Sequence, residues 1–159
     1  INHKFKKIEN YNIVIPGGVS KVPSKIIKFC AEEKKEKFIF VINKKNNYKI
    51  INFLKKNNIQ FLDNPKNFFS IIKQSKRQII RHGVLTYEML ALNKKPFVWK
   101  YNEPQKRIKD INYLNKKGLI NIFNKKNFLK TDYKLGNQNK FKTGAEGVLK
   151  EIIKFTKKK

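Results

Sequence analysis

RQIIRHGVLTYEMLALNKKPFVWKYNEPQ, residues Arg77 to Gln105, is the stretch whose reading decides the fold. It parses as a short apolar strand (Gln78 to Ile80), a tight turn (Arg81-His82-Gly83), an amphipathic helix (Val84 to about Leu92), a second strand (Phe97 to about Trp99) and a polar loop. Apolar spacing that switches from strand to helix and back is the βαβ pattern. In an open α/β sheet such a turn brings the amides of a helix N-terminus to the carboxyl edge of the strands, where anions bind. Glu88 follows one turn into the helix, placed to accept hydrogen bonds from the hydroxyls of a ribose or another sugar.

Working outward, the same grammar repeats. Asn12 to Ile15 reads as a buried strand running into Pro16-Gly17-Gly18, with a helix from about Pro23 to Glu33 whose inward positions are Ile26, Ile27 and Phe29 or Cys30. Phe38 to Ile42 has no polar alternation, which marks a strand covered on both faces of a parallel sheet. A helix from about Asn47 to Lys56 carries Ile50, Ile51 and Leu54, and Ile59 to Leu62 forms a third strand. Asp63-Asn64-Pro65 reads as a capped helix start, leading a helix whose Phe68, Phe69, Ile71 and Ile72 are expected in the core.

Beyond the central stretch, a helix from about Gln105 to Lys116 ends at Gly118, a residue suited to a helix C-terminus. Leu119 to Phe123 reads as a sixth strand, a short helix is expected near Phe128, and Thr143-Gly144-Ala145-Glu146-Gly147 leads into a helix over Val148 to Phe155. The fold expected is α/β: a Rossmann-like, doubly wound parallel sheet of about six strands with helices on both faces. Residues 1–10 read as a linker or lead-in, and 11–159 as one domain.

Composition sets outer bounds. The chain has 159 residues, 40% hydrophobic and 13% aromatic, enough for a real core. Its 38 Lys+Arg against 11 Asp+Glu give a formal charge of +27. Two explanations stay open: attraction to nucleic acid, an anionic membrane or a phosphorylated ligand, or codon choice in an AT-rich genome, since lysine is spread along the chain together with Asn, Ile, Phe and Tyr. Cys30 is the single cysteine, so no internal disulfide can form, and a reducing, cytoplasmic setting is expected. The longest apolar run, Phe38 to Ile42, falls far short of the roughly 20 residues a membrane helix needs. The polar N-terminus does not read as a signal peptide, and a start at Ile suggests a fragment or cleaved product.

Four features together resemble a known family: IVIPGG at Ile13 to Gly18, HGVLTYEMLALNKKP at His82 to Pro96, YNEPQ at Tyr101 to Gln105 followed by a helix and KGLINIF, and KTGAEGVLKEI at Lys142 to Ile152. The chain resembles the C-terminal, nucleotide-binding half of GT-B-type nucleotide-sugar enzymes, in the branch of the UDP-sugar hydrolase of pseudaminic acid synthesis and the spore-coat polysaccharide proteins. The resemblance implies a diphosphate held by Gly17, Gly18, His82, Gly83, Val84, Leu85 and Thr86, a ribose held by Glu88, and a sugar-side loop of Asn102, Glu103 and Gln105. It also implies a UDP-sugar substrate and an N-terminal domain or subunit supplying the catalytic base. The family often has two small residues in the turn, whereas here His82 precedes Gly83 and bulky Val84 and Leu85 follow it.

Within this chain no Ser/His/Asp set, carboxylate pair or metal cluster is legible, so no catalytic residue, metal or cofactor is assigned. The expectation is the nucleotide-sugar-binding half of a hydrolase or glycosyltransferase in surface polysaccharide or nonulosonic acid synthesis, with Arg81 or lysines steadying the leaving nucleotide. The alternative is a basic module binding nucleic acid or an anionic membrane surface, for which no stacking or clamp signature of an RNA-binding fold is present.

Overall fold

The structure is a computed structural model that describes residues 10–17, 22–46 and 48–131. The expected Gly18, the Thr143–Gly147 turn and the helix over 148–155 lie outside the described residues. Six strands, β1 (Tyr11–Ile15), β2 (Lys37–Ile42), β3 (Gln60–Asp63), β4 (Arg77–Ile80), β5 (Phe97–Val98) and β6 (Asn121–Ile122), form one sheet in the order β3-β2-β1-β4-β5-β6. The fold is Rossmann-like α/β. The order reverses at β1 and β4.

By contact pattern the chain divides into residues 1–79 and 80–159. In the first unit, β1 is buried along its whole length and pairs in parallel with β2, Ile13 opposite Ile39, while β2 pairs in parallel with β3, Phe40 opposite Phe61. Strands covered on both faces cannot afford polar alternation, hence YNIVI and KFIFVI. Helix α1 (Ser24–Glu32) buries Ile26, Phe29 and Cys30, spaced i, i+3, i+4, and leaves Ile27 half-buried. The Phe29 ring meets Phe38 edge-on at 5.5 Å. Burial pushes the Cys30 thiol far above its ordinary value, so it packs as a small apolar group. Helix α2 (Tyr48–Lys56) contributes Ile51 and Leu54 to the core.

Two expectations fail in this unit. Asp63-Asn64-Pro65 does not cap a helix: Asp63 ends β3, its carboxylate accepts from the Lys44 N–H at 3.0 Å, and Asn64 sits in the left-handed region at φ 40°. Helix α3 (Phe68–Gln74) starts later, and it buries Ile71 and Ile72 but leaves Phe69 50% exposed and Phe68 half-buried. With seven residues the helix offers one narrow face, and the two isoleucines fill it. Tyr11 ties the helix down by donating its hydroxyl to the Ile71 carbonyl at 2.9 Å.

The second unit holds α4 (Val84–Ala91), α5 (Gln105–Lys116) and the short α6 (Lys125–Lys130) around β5 and β6, which pair in parallel with Phe97 opposite Asn121. The sixth strand is shorter than its apolar run suggests. Helix α5 ends as expected: Gly118 takes φ 71°, its N–H donates to the Asn115 carbonyl at 2.9 Å, and the Leu119 N–H donates to the Leu114 carbonyl at 3.0 Å. That pair of bonds is the Schellman closure, which favours glycine at its left-handed residue. Asn124 caps α6, its side chain accepting from the Asn127 N–H at 2.8 Å. No helix among the described residues is long and apolar enough to cross a membrane.

Candidate functional site

The site is built on the turn that joins β4 to α4. β4 is fully buried and so holds its carboxyl end firmly in place. Gly83 follows in extended backbone, φ 166° and ψ −157°, a conformation open to any residue. A Cβ added there would meet nothing within 4 Å. The glycine is therefore not demanded by strain or packing, and the space in front of it is open.

Thr86, fully buried, organises the turn. Its hydroxyl oxygen accepts from the Gly83 N–H at 3.2 Å and lies 3.1 Å from His82 Nδ1, while its own N–H donates to the Gly83 carbonyl at 3.0 Å. This is one half of a capping box, since glycine has no side chain to return the favour. One consequence corrects the simple anion-site picture: the Gly83 N–H is already taken. The donors left by the helix geometry are the N–H groups of Val84 and Leu85, in the first turn where no intrahelical acceptor exists.

His82 is buried at 7% exposure, with its ring 6.1 Å from Tyr87. Burial pushes its imidazole below the ordinary value and Arg107 adds to this, while Asp110 and Glu103 pull the other way; the net direction is down. A ring depressed below its usual range is neutral at physiological pH, so His82 brings no positive charge to the turn.

On α4 the core face is Thr86, Met89 and Leu90. Val84, 77% exposed, and half-buried Glu88 lie one turn apart on another stripe, with Cβ bonds tilted toward the helix N-terminus. The Glu88 carboxylate makes no hydrogen bond or ion pair among the described residues.

The polar loop is more structural than its composition suggests. Asn102 occupies the left-handed region at φ 59° in a turn closed by the Glu103 N–H to the Lys100 carbonyl at 3.3 Å, a conformation that asparagine tolerates well. Gln105 is exposed as the first residue of α5. Glu103 departs from its expected sugar-side role: its side chain is 2% exposed and both oxygens are engaged. Arg81 Nε donates to Oε1 at 2.6 Å and its NH2 to Oε2 at 3.3 Å, and Arg107 NH1 donates to Oε2 at 2.6 Å. Burial alone would raise the Glu103 carboxyl, but these hydrogen bonds and the two guanidinium charges carry it below the usual range. Arg81 is thereby committed to Glu103, not held in reserve for a leaving group.

Arg107 was not foreseen, although Glu103 and Arg107 stand four apart across a helix start, a spacing that signals such a pair. Glu36 was also missed. It accepts from Asn12 Nδ2 at 2.9 Å, Arg77 NH1 at 3.0 Å and Lys76 Nζ at 3.3 Å at the amino end of β1, beside a shallow concavity lined by Cys30, Lys37, Asn57 and Gln60. The buried Oδ1 of Asn12 has no partner among the described residues, and no ligand chemistry converges on it. Gly17, after β1, takes φ 79°, which accounts for a glycine there. No three His, Cys, Asp or Glu side chains are grouped as metal ligands among the described residues.

No protein-family model matches the chain, and no curated protein does. Among solved structures it is similar to a Gfo/Idh/MocA family oxidoreductase from Vibrio cholerae, with 12% identity and a TM-score of 0.46, over 67% of this chain and 35% of that one.

Proposed function

We propose that the chain is the nucleotide-binding half of a nucleotide-sugar enzyme, taking a UDP-sugar by its diphosphate at the N-terminus of α4. The observation that carries this reading is the open space in front of an unstrained Gly83 at the head of α4. The Val84 and Leu85 amides and the positive end of the helix would hold the phosphates, and Glu88, without a side-chain partner among the described residues, would accept from ribose hydroxyls. Gly17 belongs to the same reading, as does Gly18. Asn102 and Gln105 remain available on the loop, whereas Glu103 acts by holding that loop to Arg81.

The reaction class that fits is hydrolysis or transfer at the sugar–diphosphate linkage, in surface polysaccharide or nonulosonic acid synthesis within the cytoplasm. The base and acceptor site would come from a second domain or subunit, because the residues gathered at this turn supply donors and one carboxylate but no activated nucleophile. The +27 charge would draw in an anionic substrate and favour contact with a lipid-linked acceptor at a membrane surface.

Calorimetric titration with UDP at low and near-physiological salt tests the reading. Saturable binding that survives the higher salt supports it. Binding to single-stranded RNA alone, collapsing as salt rises, would assign the function to the lysines instead. Two variants locate the site. Gly83→Ala is expected to fold at a cost of about 1 kcal/mol, alanine being a poorer N-cap than glycine, and to bind UDP at least about tenfold more weakly, since the methyl enters the space a phosphate needs. Glu88→Ala is expected to keep its fold and lose about 1.5 to 3 kcal/mol of UDP affinity; unchanged affinity would remove Glu88 from the site.

A further inference from the structure

We propose that Thr86 is a positioning residue that holds His82 as the neutral Nε2–H tautomer, so that the β4–α4 turn offers a phosphate a neutral N–H donor. The ligand rests on the nucleotide reading above; the tautomer stands on its own geometry. A threonine hydroxyl carries one proton and two lone pairs. One lone pair takes the Gly83 N–H, and the proton needs an acceptor. Among the described residues, His82 Nδ1 at 3.1 Å is the acceptor paired with this oxygen. Nδ1 is therefore unprotonated, and the ring proton sits on Nε2. Nε2 has no hydrogen-bond partner among the described residues, on a ring that keeps 7% exposure in the turn leading into α4.

Protonating the ring would make Nδ1 a donor to the hydroxyl's second lone pair and would strip the hydroxyl proton of its acceptor. Burial opposes the cation too. Of the charged groups around the ring, Arg107 on α5 disfavours it, while Asp110 on α5 and Glu103 in the loop favour it; Tyr87 on α4, its phenol raised by burial and then by Asp110, stays neutral. A neutral donor is matched to reversible binding: it adds a hydrogen bond to the helix amides without a full counter-charge that would slow release of a dianion.

The sequence has two histidines, so His3→Gln leaves a single imidazole for long-range proton–nitrogen NMR. The parent is expected to show the Nε2–H pattern at neutral pH. Thr86→Val is expected to shift the ring toward a tautomer mixture, and Thr86→Ser to restore the parent pattern. An Nδ1–H or doubly protonated ring in the parent overturns the proposal without any variant needing to fold; so does a folded Thr86→Val with the parent pattern. In the second arm, UDP-glucose is titrated in, and its saturation is expected to move the Nε2–H resonance. Saturable calorimetric binding with that resonance unmoved overturns the donor role and leaves the nucleotide reading standing. No saturable binding removes the nucleotide reading, and with it the donor's ligand, while the tautomer result survives.

Discussion

Replacing Phe128 with alanine is expected to lower the unfolding free energy by about 3 to 5 kcal/mol, the range for emptying a fully buried aromatic site. Phe128 has no exposed surface, and its ring meets Phe97 at 5.0 Å and 61° and Phe123 at 5.9 Å and 60°. Such tilted aromatic contacts add to area burial. The effect should be concentrated, because α6 has only six residues and helices that short owe their existence to packing. Urea unfolding gives the magnitude, and hydrogen exchange at 125–131 shows whether α6 loosens first. Phe128→Leu, which keeps much of the volume, is expected to cost roughly 1.5 kcal/mol or less. A loss below about 1 kcal/mol for the alanine variant would mean that the ring cluster does not hold α6 in solution.

The second large effect is expected at Glu103. Removing one member of a buried ion pair costs about 3 to 5 kcal/mol, but the arginine side chains are 30% and 33% exposed, so water recovers part of their charge. Glu103→Ala is accordingly expected to cost about 2 to 3 kcal/mol. Because the folded carboxyl lies below its ordinary range, its contribution is fully present above the unfolded value near pH 4.3 and is lost as pH falls through the folded one. Glu36 acts in the same sense: burial pushes it up, but Asn12, Arg77 and Lys76 hold it below the usual range. Acid unfolding should therefore be steep in the parent and shallower in Glu103→Gln, which has already lost its share. A parallel acid limb in both proteins would show that the clamp contributes nothing that titrates.

The Glu103 clamp also separates function from architecture. Because the loop from Tyr101 to Gln105 is anchored to Arg81 and to α5, a Glu103 variant that weakens UDP binding would do so through loop position. Its affinity loss should be relieved by substitutions that stiffen the loop, whereas that of Glu88→Ala should not.

Most elements were legible before the structure, for a local reason. Apolar spacing reports whether side chains repeat every two or every 3.6 residues, and that depends on neighbours along the chain alone. The buried strands at Ile13 and Phe40, the inward stripe of Ile26, Phe29 and Cys30, and the Gly118 helix stop are all of this kind. The β4–α4 turn was legible too, since a glycine between an apolar strand and a helix is a local signal.

What tertiary structure alone decided are matters of competition for a limited set of partners and a limited buried face. Asp63 and Asn64 look like a helix start until Lys44, 19 residues away, offers its N–H to the carboxylate. Phe69 is as apolar as Phe68, yet a seven-residue helix gives its buried face to Ile71 and Ile72. Glu103 reads as a loop carboxylate free for a sugar, and the fold spends it on an arginine 22 positions upstream. Even Gly83's amide, the obvious phosphate donor, is claimed by Thr86. A polar side chain has a fixed number of bonds to give, so its role is settled by whichever partner the folded chain delivers to it, and separation in sequence carries no trace of that delivery.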